Sequence, residues 1–254
     1  MSPTVEEWHQ QFLRQAGWTL EIRSHLYRQA ELRRAGAVLD VGCGTGVLTE
    51  EVSKRTRGSV TGLDLDPAMI GFAAGWIPEV EWVVGDAHSL PFESESFDLV
   101  LCSFLLLWTA KPRLAVEEMA RVVREGGVVL AVTEPDYGGR IDYPEDIALG
   151  PLMEESLRRE GANPRVGRTL KALLSAAGLE AQSGIIGSMW DDGEMAEEFE
   201  AEWTFILETL SNVADSVQLR GYRDEAWRAL QEGSRVVFMP HFWGLGRKPA
   251  ASPE

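Results

Sequence analysis

The stretch Val38-Leu39-Asp40-Val41-Gly42-Cys43-Gly44-Thr45-Gly46 constrains this chain more than any other. It is an apolar run that ends in three glycines spaced two residues apart. A buried parallel strand reads as such a run, and glycine at its exit lets the backbone turn sharply. With no side chains in the way, a flat ligand can lie close against the main chain. A helical pattern from Val47 to Lys54 follows at once, so its free N–H groups point into the same crevice. The combination predicts a nucleotide-type cofactor site at the carboxyl end of a first strand. Alone it is ambiguous, because an isolated Gly-x-Gly-x-Gly is most often a turn and nicotinamide enzymes use a similar loop.

Three later features narrow the reading. Ser59-Val60-Thr61-Gly62-Leu63-Asp64 reads as a second strand ending in an acid, 22 residues past Gly42. That spacing suits a carboxylate accepting hydrogen bonds from both hydroxyls of a ribose. Asp64 could instead cap the next helix, but Asp66, directly before Pro67, fills that role better. Val80 to Val84 is a third short strand followed by Gly85-Asp86-Ala87, where an acid could accept from the exocyclic amine of an adenine. Phe97–Ser103 and Gly126–Val132 supply a fourth and a fifth strand. A nicotinamide fold wants Gly-x-Gly-x-x-Gly, whereas here Gly46 is followed by Val47 and no further glycine.

Residues 36–135 resemble, motif by motif and in the right order, the class I S-adenosylmethionine-dependent methyltransferases, especially the small-molecule branch that includes the quinone-biosynthesis C-methyltransferases. The resemblance implies an α/β, Rossmann-like, seven-stranded mixed sheet in the order 3-2-1-4-5-7-6, with strand 7 antiparallel. It implies S-adenosylmethionine as cofactor. Gly42, Cys43, Gly44 and Gly46 would line the methionine portion, with Asp40 under the loop. Asp64 would take the ribose hydroxyls and Leu65 would pack on the adenine. Asp86 and Ala87 would meet the adenine edge, and Ser103 would face the methionine end. Arg14 or Gln11 on the first helix could hold the cofactor carboxylate. The Arg124-Glu125-Gly126-Gly127 turn departs from the family's Lys and Pro positions, away from the cofactor face.

Alternation of strand and helix (36–41, 46–55, 59–64, 67–75, 80–84, 97–103, 112–123 and 127–134) implies a parallel sheet with right-handed crossovers. Residues 1–254 read as a single domain: a helical N-terminal cover over 1–35, a cofactor-binding core over 36–135, and substrate-side helices with the last two strands over 136–254. In the cover, helices run over Val5–Ala16 and Leu20–Arg34, with apolar stripes at Trp8, Phe12, Leu13 and at Ile22, Leu26, Ala30. Past Glu134 we expect helices over Glu145–Glu160 and Arg168–Ala177, the latter stopped by Gly178. A sixth strand follows over Leu179–Ser188, then a helical insertion (Glu194–Leu210, Val217–Glu232) and a last strand over Val236–Gly246. The insertion and the N-terminal helices would build a lid or pocket wall.

A net charge of −16 argues against a nucleic-acid substrate, whose phosphates need Lys and Arg to replace counterions. Arg158, Arg159, Arg165 and Arg168 are interleaved with Glu154, Glu155 and Glu160, which reads as a solvated helix face. No apolar run approaches membrane-spanning length and the N-terminus has no signal-peptide core, so the expected location is the cytoplasm. Cys43 and Cys102 show no metal-ligand spacing; they read as buried small hydrophobes, and no metal is expected.

Methyl transfer from a sulfonium is an in-line displacement, so the protein has to align the partners and exclude water. A base is needed only if the acceptor must lose a proton. No catalytic residue is therefore assigned. Glu134, Asp136, Tyr137 and Arg140 follow strand five and are the polar candidates for touching substrate. His9 and His241 are possible bases, although a His in an aromatic-rich strand is more often simply packed. Trp8, Trp18, Trp108, Trp190, Trp203, Trp227 and Trp243 fit an apolar or aromatic small-molecule pocket, or ordinary core packing. The expected function is methyl transfer to such a molecule by a monomer or homodimer. The alternatives are a non-catalytic S-adenosylmethionine-binding or regulatory protein, or an RNA or protein methyltransferase.

Overall fold

A computed structural model describes residues 4–186 and 192–250. The first helix, α1 (Val5–Trp18), starts at Thr4, whose hydroxyl accepts from the Glu7 N–H while the Glu7 carboxylate accepts from the Thr4 N–H. This reciprocal cap satisfies two otherwise orphaned donors. α2 (Leu20–Gln29) stops short of the expected Arg34. Glu31 takes a left-handed backbone with φ 55°, and Leu32–Arg34 forms a single 3-10 turn that brings Leu32 and Ala35 into the core.

Strands and helices then alternate: β1 (Ala37–Val41), α3 (Val47–Arg55), β2 (Ser59–Asp64), α4 (Pro67–Trp76), β3 (Glu81–Val84), β4 (Phe97–Ser103), α5 (Pro112–Val122) and β5 (Val123–Pro135). The five strands pair in parallel, with Val41 level with Leu63 of β2 and with Cys102 of β4. Beyond them come β6 (Ile141–Tyr143), α6 (Leu149–Arg159), α7 (Leu170–Ala176), β7 (Glu180–Ile186), α8 (Asp192–Thr209), α9 (Ser216–Gln231), β8 (Val236–Phe238) and β9 (His241–Arg247). β9 runs antiparallel between β5 and β7, so the main sheet has the order β3-β2-β1-β4-β5-β9-β7. With β6 and β8 set aside, this is the expected 3-2-1-4-5-7-6 arrangement with its last strand antiparallel.

The segment Val236–Gly246, expected as one strand, is two. β8 pairs with β6 in a separate two-stranded ribbon, and only β9 joins the main sheet. Pro240 lies between them and has no N–H to give to a ladder; its carbonyl accepts from Asp136 N–H instead. The sixth strand of the sheet ends at Ile186; Ser188, where it was expected to end, lies outside the described residues, as does Trp190.

Period-two alternation sorts the strands between two cores. Leu39, Val41, Val100, Cys102, Val129 and Ala131 face α5 and α7 on one side. Val38, Leu99, Leu101, Val128, Leu130 and Val132 face the other side, where α2 and α3 supply Leu26, Tyr27 and Val52. A third cluster joins Met153 of α6, Phe199 and Trp203 of α8, and Leu219 and Leu230 of α9.

The ribbon adds a buried ionic group. Asp142 accepts from Arg140 Nε at 2.8 Å and from Arg235 at 2.7 Å, and all three side chains are only 5% exposed. Removing the shared carboxylate leaves two guanidiniums buried without it, which costs far more than an exposed pair. Asp142→Ala should therefore lower unfolding free energy by about 3–5 kcal/mol in urea titrations. A loss no larger than that of an exposed control such as Glu117→Ala would contradict this role.

Candidate functional site

The loop after β1 is built from backbone. Gly42, Gly44 and Gly46 have φ of 70°, 53° and 83°, a region in which side chains are strained. The N–H groups of Gly42 and Cys43 both donate to the Leu63 carbonyl, at 2.7 and 3.0 Å. The next, Gly44 N–H, donates to Asp64 Oδ2 at 2.8 Å, while Asp66 N–H donates to Oδ1 at 2.9 Å. Asp64 thus orients the loop and its half-buried carboxylate keeps acceptor capacity. Leu65 beside it is 70% exposed. Asp66, not Asp64, caps α4, accepting from Ala68 N–H at 2.8 Å.

Asp40 lies beneath, fully buried, and accepts from the Thr49 hydroxyl of α3 at 2.6 Å. Burial pushes its carboxyl up to about 7, the hydroxyl opposing the rise and the Asp64 charge adding to it. Asp86 follows β3 and accepts from the N–H and the ring of His88 at 2.8 and 2.7 Å. The backbone bond, foremost, holds it below the usual carboxylate range. Ala87 is buried and Ser103, at the end of β4, is half-buried. Both cysteines are free and buried, and burial pushes their thiols up.

The glycine backbone is bare but not open. A Cβ on Gly44 would lie 2.8 Å from the Phe12 ring of α1, and one on Gly42 would lie 2.6 Å from the end of Leu105. The ends of those two side chains cover the loop. His9 of α1 lies 2.9 Å from the Thr45 hydroxyl, against Phe72 and Trp76, and Trp76 donates to the Thr45 carbonyl. His9 therefore belongs to the glycine loop and not to an acceptor cavity.

A cavity of about 120 Å³ lies on the other side of α1. Gln11, Arg14, Gln15 and Trp18 form one wall, Phe104 and His241 the sheet edge, and Glu198, Glu202 and Phe205 of α8 another wall. Tyr137 and Arg140, predicted from the sequence, both line it. Glu134 does not. It is fully buried behind the turn after β4, where its Oε1 accepts from Leu105 and Leu106 N–H at 2.9 and 2.8 Å and its Oε2 from Leu107 N–H at 3.2 Å. Burial pushes its carboxyl up to about 7 against those bonds. Asp136 is likewise buried, and the Arg168 guanidinium binds both of its oxygens. These two acids are consumed by structure.

Phe12, Gln15, Phe104, Leu105, Glu198 and Glu202 are the site residues that motif reading misses, while Trp18, one of the tryptophans offered for a pocket, does line the cavity. The signal for several was helical spacing: Gln11, Arg14, Gln15 and Trp18 share one face of α1, as Glu198, Glu202 and Phe205 do on α8.

Comparison with known proteins bears on this geometry. A family described as "Methyltransferase domain" matches residues 39–131. Phosphatidylethanolamine N-methyltransferase of Cereibacter sphaeroides is 34% identical over 159 residues, covering 58% of this chain and 77% of that protein. The chain belongs to the class I S-adenosylmethionine-dependent methyltransferases. Demethylmenaquinone methyltransferase of Renibacterium salmoninarum is 37% identical over 140 residues, 53% of this chain and 59% of that one. The chain spans only 20% and 50% of the length of two other curated relatives. A phosphoethanolamine N-methyltransferase of Haemonchus contortus, solved with S-adenosylhomocysteine, shares the fold with a TM-score of 0.59 at 19% identity, over 88% of this chain and 51% of that one.

The cofactor of this methyltransferase family is S-adenosylmethionine. The glycine loop, Asp64, Asp86 and Ser103 all fall inside the matched segment, whereas the cavity walls on α1, α8 and the ribbon fall outside it. Among the described residues no cluster could hold a metal, and no helix is long and apolar enough to cross a membrane.

Asp40 makes this methyltransferase's stability pH-dependent with a definite sign. Its folded carboxyl titrates at about 7, above its ordinary 3.8, so across that window the folded state binds more protons than the unfolded state and stability falls as pH rises. Glu134 acts in the same direction. Asp40→Asn keeps an oxygen for Thr49 and removes one titration. Urea midpoints measured from about pH 5 to about pH 8 should fall less steeply in that variant than in the parent. Parallel slopes would show that Asp40 stays ionised.

Proposed function

We propose that this chain transfers a methyl group from S-adenosylmethionine to a small-molecule acceptor by in-line displacement. The observation that carries the reading is the pairing of two separate spaces across α1. One is a glycine backbone gathered by Asp64; the other is a mostly apolar cavity at the same edge of the sheet. The loop fits the cofactor because a Cβ at Gly42 or Gly44 would collide, and what covers those glycines are the ends of flexible side chains.

In this reading Gly42, Cys43, Gly44 and Gly46 line the methionine portion, with Asp40 buried beneath and Ser103 at its far end. Asp64 accepts from the ribose hydroxyls with the acceptor sites that the loop leaves free. The exposed Leu65 packs on the adenine, whose edge meets Asp86 and Ala87. Arg14, whose guanidinium donates to the Gln11 side-chain oxygen Oε1 at 2.5 Å, lines the cavity and not the glycine loop. When bound, S-adenosylmethionine supplies a methyl group on a reactive sulfonium. The chain's own part is to fix the approach line and keep water out, with Phe12, Phe104 and Leu105 as the apolar surround.

Relatives named for phosphatidylethanolamine and for demethylmenaquinone differ in acceptor, so the acceptor class has to be sought in the cavity. Titration calorimetry with S-adenosylhomocysteine tests the cofactor half. Asp64→Ala should weaken binding by about 1–3 kcal/mol, the range for losing hydrogen bonds to a charged group. Unchanged affinity in a variant with the parent's melting curve would refute the ribose role, and no binding by the parent would refute the function.

A further inference from the structure

His241 begins β9, level with Pro135 of β5 and Ile186 of β7 at the edge of the sheet that carries the site. Its ring sits between Trp18 and Phe104, with centroids 6.4 and 5.7 Å away, and it lines the cavity. Nδ1 lies 3.1 Å from the Met239 carbonyl oxygen. A carbonyl can only accept, so Nδ1 carries the proton and Nε2 is left as a bare acceptor. No side chain or backbone group among the described residues donates to Nε2. A histidine that is merely packed in a core has its polar atoms satisfied; this one is completed on one side only.

The cavity's charges are balanced. Arg14 and Arg140 face Glu198 and Glu202 on its walls, and Arg235 and Asp142 balance each other behind Arg140. Nothing there offers an ion a net counter-charge, and an unpaired charge is expensive to bury. Aromatic and aliphatic side chains supply much of the remaining wall. Cavities of about 150 Å³ take up benzene, so about 120 Å³ suits a molecule, or the reacting end of one, of about one ring.

We infer that His241 is a catalytic residue whose Nε2 accepts the hydrogen bond, and then the proton, of an uncharged hydroxyl compound that is the methyl acceptor. This rests on the methyl-transfer reading above. The acceptor oxygen's lone pair takes the methyl carbon, the pair that bound that carbon stays with the sulfonium sulfur, and the O–H proton passes to Nε2. The resulting imidazolium keeps its Nδ1–H on Met239 and releases its other proton to water. Burial pushes this imidazole down to about 4, so it is neutral and ready at neutral pH. A base that weak still takes the proton of a methylated hydroxyl, which is a strong acid.

Phenol and toluene, alike in shape and differing in the hydroxyl, are the probes. In histidine-labelled protein observed by nitrogen-15 NMR, phenol should move the Nε2 resonance of His241 and toluene should not. His241→Phe keeps a ring between Trp18 and Phe104, and should cut the preference for phenol over toluene about five- to tenfold, the size of one hydrogen bond. Equal preference in parent and variant, or no Nε2 shift with phenol, would overturn the inference. Tighter binding of benzylamine or benzoate than of phenol would also overturn it, because the charged walls would then be choosing the ligand. If the variant fails to fold, the parent's Nε2 response decides alone. S-adenosylhomocysteine binding, measured on the same samples, should be equal in parent and variant. Its absence from the parent would defeat the methyl-transfer reading while the phenol result still reports on His241.

Discussion

Three consecutive N–H groups leave β1 and find their acceptors at the tip of β2, and the site hangs on that catch. Gly42 and Cys43 share the Leu63 carbonyl, and Gly44 takes the Asp64 carboxylate. Buried donors left without acceptors are costly, so the parallel register of Val41 with Leu63 fixes the course of the loop. Only residues free to adopt positive φ can follow that course, which is why glycine stands at 42, 44 and 46. The carboxylate that organises the loop is also the one left at the rim of the crevice.

The same device appears twice more. Glu134 gathers the N–H groups of Leu105, Leu106 and Leu107, and so sets the turn that puts Leu105 on Gly42 and Phe104 on the cavity wall. Phe104 itself has φ of 51°, a strained value for a residue with a side chain, and its N–H is tied to the Thr133 carbonyl at 2.8 Å. At the opposite edge of the sheet, Asp98 accepts from Gly36 and Ala37 N–H and pairs with Arg124. Three carboxylates at strand ends thus hold three stretches of backbone, two of them bordering the site.

This explains what the sequence could reveal. The glycine loop and the acid at 64 that holds it are legible because backbone geometry demands particular residues at particular spacings, whereas the strand order followed from the family resemblance. Glu134 misleads for the same reason: an acid just past a strand reads as a ligand group, and nothing local tells that three N–H groups twenty-seven to twenty-nine residues earlier will claim it. Asp136 is claimed by Arg168 from a still more distant turn. The split of the last strand was signalled by Pro240, but the partner that β8 finds in β6 was not, because three-residue strands carry no period long enough to read.

The two halves of the site therefore obey different constraints. The glycine loop depends on main-chain angles, so few substitutions fit it. The cavity is walled largely by side chains of α1, the ribbon and α8, whose backbone asks only to be helix or strand. Residues there can change without disturbing the glycine loop, with one exception. α1 touches both spaces: Phe12 lies on Gly44, and Trp18, less than two turns further along, lies on His241. The helix expected from the sequence as a cover and pocket wall is thus the one element in contact with both spaces.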